Sequence, residues 1–185
     1  VVEKISHYAI NLSGMQFSSL DLSNIDFKGG CFVGSKFIRC KISNSSFKAA
    51  DLSKAVFDNC AIDNADFEIA NLKGAEFTRS CLNNIDLRNA NLEESNVRDT
   101  EIINTLMDGM DFNLAKITNC KFENVKIRGC SFEDTKLSCS VFSNTDLSCA
   151  VFKGGEWRRI RFINALLVGI LVAGVEIAKT DFETV

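Results

Sequence analysis

Eight cysteines, one histidine and 24 carboxylates are the side chains of this chain with chemistry to offer. Zinc binding or redox work by cysteine needs close pairs such as C-x-x-C, often with histidine partners. No C-x-x-C occurs, and His7 stands alone near the N-terminus. A catalytic histidine needs a nucleophile or acid oriented against it; the sequence offers none, and His7 reads as part of an N-terminal cap. Paired acids of the glycosidase kind cannot be picked out of the many carboxylates, and there is no glycine-rich phosphate loop. A basic run with interleaved aromatics is also missing, so direct nucleic-acid binding is not expected. The reading is a protein without enzymatic activity, metal or cofactor.

The elements that would have to position such groups are legible instead. Every fifth residue from Leu12 to Phe182 is apolar, without one insertion. A period of five fits neither a helix at ~3.6 nor a strand at ~2. A path that turns a corner every five residues puts all of these side chains inside, and four corners close a square. Eight asparagines mark the same 20-residue coil: Asn24, Asn44, Asn64, Asn84, Asn104, Asn124, Asn144 and Asn164.

Two residues before each central apolar residue lies a second inward position, mostly Ala, Ser, Thr or Cys. Large central side chains nearly fill a narrow square, so this second ring must be small to reach interior packing density. Bulkier residues there (Ile10, Met15, Leu20, Ile25, Ile85, Met110, Val125, Ile160, Ile170, Val175) predict local widening. Nine of the eleven glycines fall two residues after a central residue, in the slot that the asparagines occupy on one face. Positive φ at the third residue of a type II turn explains both choices. Type II corners are therefore expected on the Asn face and on the two Gly-bearing faces, with another turn type on the fourth. The asparagines are read as a structural ladder of turn geometry and stacked amides. Phe17, Phe37, Phe57 and Phe77 should form one aromatic ladder, and Phe122, Phe142, Phe162 and Phe182 another.

The copies Ala50-Asp51-Leu52, Ala65-Asp66-Phe67, Ala70-Asn71-Leu72 and Ala90-Asn91-Leu92 carry the pattern A-(D/N)-L-x-x. In this the chain closely resembles the pentapeptide-repeat family over essentially its whole length. The resemblance implies an all-β fold, a right-handed quadrilateral parallel β-helix, here of about nine coils at ~4.8 Å each. Residues 1–185 form a single domain, with 1–11 as an N-terminal cap region and 163–185 as terminal coils. The chain begins without Met and reads as processed or trimmed. No secretory signal pattern is seen, and residues 163–175 are too short and too glycine-broken for a membrane span.

Cys40, Cys60, Cys120 and Cys130 take inward slots as small buried residues, whereas Cys31, Cys81, Cys139 and Cys149 point outward. Free outward thiols fit a reducing, cytoplasmic compartment. The face centred on Phe17, Phe37 and Phe57 holds nine cations against five acids, net +4. The faces centred on Leu12 and on Leu22 (the Asn face) are each −3, and the face centred on Phe27 is −1. Val141, Val151, Ile163, Leu166, Val168 and Leu171 occupy outward slots near the C-terminal end, which predicts an interface. Its partner would be a second copy, making a homodimer through the C-terminal coils, or a neighbouring domain. The function expected is a protein–protein interaction scaffold, a module of a larger bacterial protein being one setting and delivery into a host cell another. The resemblance also implies an alternative. Family members that protect DNA gyrase from quinolones mimic B-form DNA and dimerise through the C-terminal end. This chain departs from them in its small net charge and its basic face.

Overall fold

In the computed structural model, which describes residues 10–185, the five-residue frame becomes a four-sided β-solenoid with no helix among the described residues. Each pentad contributes at most a three-residue strand, and every strand pairs in parallel with the segment 20 residues away, as in Phe37↔Phe57 and Ile62↔Leu82. The Phe17 face is a nine-stranded sheet running from Gln16–Ser18 to Glu176–Ala178. The adjoining Asn face is an eight-stranded sheet from Lys41–Ser43 to Asp181–Glu183. On the Leu12 face only Ser131–Glu133, Val151–Lys153 and Leu171–Ala173 are strands. Elsewhere on that face and along the Phe27 face the coils meet through single bridges such as Asp51↔Asn71 and Asp66↔Asp86.

The central residues fill the square. Phe32 through Phe162 are buried almost without exception, and the rings stack along the rod. Phe37 and Phe57 lie 4.7 Å apart at 4°, and Phe57 and Phe77 lie 4.8 Å apart at 4°. Phe122–Phe142 at 4.5 Å and Phe162–Phe182 at 5.2 Å belong to the second expected ladder. Phe27–Phe47–Phe67 and Phe112–Phe132–Phe152 add two more. The widening expected at bulky second-ring residues is small. Ile85, Met110, Val125 and Ile160 are buried, and the longest backbone bonds are Ile170 N–H to Leu167 O at 3.5 Å and Asp111 N–H to Ala90 O at 3.4 Å, next to Met110.

The corners depart from the expectation drawn from asparagine and glycine. Positive φ occurs in the third corner slot on all four faces, including Arg39 (53°), Asp99 (53°) and Cys139 (52°) on the fourth. What differs is the turn hydrogen bond. The Leu12 and Phe27 faces close most corners with a bond from the second-ring amide to the central carbonyl, as in Ala55 to Leu52 (2.9 Å) and Ala70 to Phe67 (3.0 Å). With φ positive only at the third residue, these are type II turns. Among the described residues the Asn and Phe17 faces have no such bond, and apart from the Asn24 corner, a turn after the single bridge at Asp21, their corners are open bends after a strand. The type II assignment therefore fails for the Asn face beyond Asn24: asparagine serves the positive φ, which both corner types share.

An open corner leaves a buried amide without its turn partner, and such groups rarely stay unpaired. In the second-ring column that follows the Phe17 face (Cys40, Cys60, Ser80, Thr100, Cys120 and Ser140), the hydroxyls of Ser80, Thr100 and Ser140 supply partners. Cys60 N–H donates to Ser80 Oγ at 3.0 Å, and Cys120 N–H to Ser140 Oγ at 3.0 Å. Side chains of this column also donate to carbonyls of the preceding coil, as Ser80 Oγ does to Phe57 O at 3.2 Å and Cys60 Sγ to Phe37 O at 3.2 Å. Alanine is frequent after the bonded corners, where the amide is already satisfied. Ser95 also follows a bonded corner, and its Oγ is buried without a partner, as is Thr145 Oγ1.

Candidate interaction surfaces

The terminal coils place the six apolar residues on three faces, not on one flat patch. Val141 and Ile163 are half-buried on the Asn face, where Val141 pairs with Arg161 and Ile163 with Glu183. Val151 and Leu171 stack as register partners on the Leu12 face. Leu166 and Val168 lie on the Phe27 face between them. Leu166, Val168 and Leu171 are each at least 50% exposed and follow one another around a corner at Gly169. The sequence frame assigns Val172, Ile177 and Phe182 to the core; in the last described coil they are 40–51% exposed. Their strands Leu171–Ala173, Glu176–Ala178 and Asp181–Glu183 are the outer members of their sheets, so one row of backbone groups on each is unpaired.

All eight ladder asparagines have φ between 50° and 61°. Side-chain amides bond coil to coil at Asn44–Asn24 (3.5 Å), Asn124–Asn104 (3.2 Å) and Asn164–Asn144 (3.3 Å). Between them the column is diverted. Asn64 bonds Asp63 at 3.1 Å, and Asn104 also reaches Asn83 at 3.3 Å. Next to this break, Asn64, Asn84, Asn104 and Leu106 border a shallow groove of about 530 Å³.

Charges on the flat faces are largely paired along the rod. Lys73 meets Glu93 at 2.8 Å and Glu94 at 3.1 Å, and Lys153 meets Glu133 at 2.8 Å, all on the Leu12 face. Arg128 holds Asp108 at 2.6 Å, and its guanidinium hydrogen bonds lower the Asp108 pKa. These pairs are substantially exposed, and each contributes little stability. On the Phe17 face, Lys36, Arg39, Lys116, Arg159 and Lys179 have no carboxylate partner among the described residues. Among the described residues no group of three His, Cys, Asp or Glu stands close enough to hold a metal ion. No helix there is long and apolar enough to cross a membrane. His7 and most of the expected cap, 1–9, lie outside the described residues.

The family model for the pentapeptide repeat region matches residues 30–102 and 75–148. The chain belongs to the pentapeptide-repeat family. Among solved structures, this pentapeptide-repeat chain is similar to a trypsin-treated variant of QnrB1, a plasmid-mediated fluoroquinolone resistance protein. Identity is 23%, over 88% of this chain and 91% of that chain, with a TM-score of 0.59. Full-length QnrB1 is 20% identical over 92% of each chain, with a TM-score of 0.53. At these identities the likeness is one of fold. No curated protein matches this chain in sequence.

Proposed function

We propose that this chain is a non-enzymatic scaffold that docks another protein on its C-terminal coils, the partner being a second copy or a neighbouring domain. The observation that carries the reading is the apolar corner of Leu166, Val168 and Leu171, each at least half exposed. Contiguous exposed apolar surface of this kind marks interaction sites. Eight free thiols suit a cytoplasmic setting; delivery into a host cell as part of a larger bacterial protein is the alternative. The test is mass by light scattering at tens of micromolar, on the chain and on Leu171→Lys. A dimeric mass that falls to monomer in the variant supports the second copy, and a monomeric mass for both removes it.

A second reading, a topoisomerase-binding protein that gives quinolone protection, is favoured by the shared QnrB1 fold together with two faces of net −3. Against it, several acids of those faces are tied to Lys73, Lys121, Lys153 and Arg161. Titrating the chain into a gyrase supercoiling assay, with and without a quinolone, decides it. Inhibition or protection at micromolar concentration puts this reading first, and no effect leaves the scaffold.

A further inference from the structure

Near the C-terminal end of the basic face, Ser138, Cys139, Arg158, Arg159, Ala178 and Lys179 enclose a depression of about 280 Å³. Its shape follows from register. Ser138 pairs with Arg158, and Arg158 with Ala178, so Cys139, Arg159 and Lys179 rise in one column at successive coils. All three have positive φ (52°, 57° and 53°) and are exposed. The short Ser138 and Cys139 form the floor under longer cationic side chains. Arg158 is held by Glu156 at 2.8 Å, and Glu156 also takes Lys136 at 3.1 Å, whereas Arg159 and Lys179 have no carboxylate partner among the described residues. The remaining acid at this end of the face is Glu176, register partner of Glu156.

We propose that this depression is an anion-binding site that presents Cys139 to small anionic disulfides of the glutathione type. Arg159 and Lys179 bind the carboxylates of the disulfide and hold its sulfurs over the thiol. The Cys139 thiolate then attacks one sulfur, the S–S bond breaks, and the other half leaves with the electron pair and takes up the proton lost by Cys139. The protein sulfur is oxidised to a mixed disulfide and the leaving half is reduced, so no other oxidant is needed.

Cys149 is the internal control. It is equally an exposed corner thiol with positive φ (62°), but its column neighbours are Gly129 and Gly169, and the nearby Arg128 is already held by Asp108. The experiment treats the whole chain with a dianionic aromatic disulfide, 5,5′-dithiobis(2-nitrobenzoate), or with neutral 4,4′-dithiodipyridine. Site-resolved peptide mass spectrometry then reads both rates. Dividing the two rates at each thiol removes its intrinsic nucleophilicity. The anionic preference should be about tenfold greater at Cys139 than at Cys149, in the range of electrostatic steering. It should collapse in high salt and in Arg159→Asn with Lys179→Asn, where asparagine keeps the corner conformation. Equal preferences at the two thiols, or a preference that survives the double variant, would overturn the site.

Discussion

A β-branched side chain in left-handed backbone is strained, and Ile69 holds one at φ 54° while 51% exposed. Its own column offers the alternatives, with Asn89 and Gly109 one and two coils on. Ile69→Asn should therefore raise stability by about 1 kcal/mol, the lower end of the cost of such strain, and a denaturant titration reads it. An unchanged or lower midpoint would mean that the isoleucine makes contacts that offset the strain. The buried thiols set a second expectation at this scale. Burial raises the pKa of Cys60 and Cys120 to about 11 and of Cys130 to about 12. In the unfolded chain these thiols ionise near their ordinary value of 9.0. The unfolded state thus loses protons first, and stability is full below that pH and falls as pH rises toward 11. Cys60→Ser, Cys120→Ser and Cys130→Ser together keep a hydrogen-bond donor and should flatten the alkaline loss of Tm relative to neutral pH.

At the scale of the element, a coil is two open corners and two bonded ones in most of the rod, and the second ring answers that difference. Ser80 Oγ donates to Phe57 O at 3.2 Å and accepts from Cys60 N–H at 3.0 Å. Ser80→Ala strands that buried amide and should cost about 1–3 kcal/mol. Ser80→Cys, the residue found at three other positions of the column, should restore part of it. Ser95→Ala removes a hydroxyl without a partner, after a bonded corner, and should be neutral or stabilising. Equal losses in urea for Ser80→Ala and Ser95→Ala would refute the distinction between corners.

The whole molecule is a stack in which each coil touches its neighbours, so damage should stay local. Gly155 tests this, because it sits at φ 75° and a Cβ there would meet Thr135 O at 2.2 Å. Gly155→Ala forces the backbone apart beneath Trp157, which is buried and packs edge-on against Phe152 at 4.9 Å. Amide exchange should quicken from about residue 135 to the C-terminus while the coils around Phe37 to Phe77 keep their protection. Uniform loss of protection along the rod would show one cooperative unit instead.

The sequence by itself determined the coil, because a strict period of five with a larger period of 20 leaves one way to bury every Leu and Phe. It determined which side chains stack, as Phe37 on Phe57 and Val151 on Leu171, since register follows directly from the spacing. Glycine and asparagine pointed to positive φ at the third corner residue on three faces, and the structure extends it to the fourth. Tertiary structure decided which corners close with a hydrogen bond, because that depends on how each face pairs with the coils on either side. The polar column from Cys40 to Ser140 hinted at open corners, but only the neighbouring coil shows that its hydroxyls take up the freed amides. Tertiary structure also spread the C-terminal apolar residues over three faces, and it set Cys139 beneath Arg159 and Lys179. Positions 20 residues apart are distant in the chain and adjacent in space, so the chemistry of a surface here belongs to columns and not to segments.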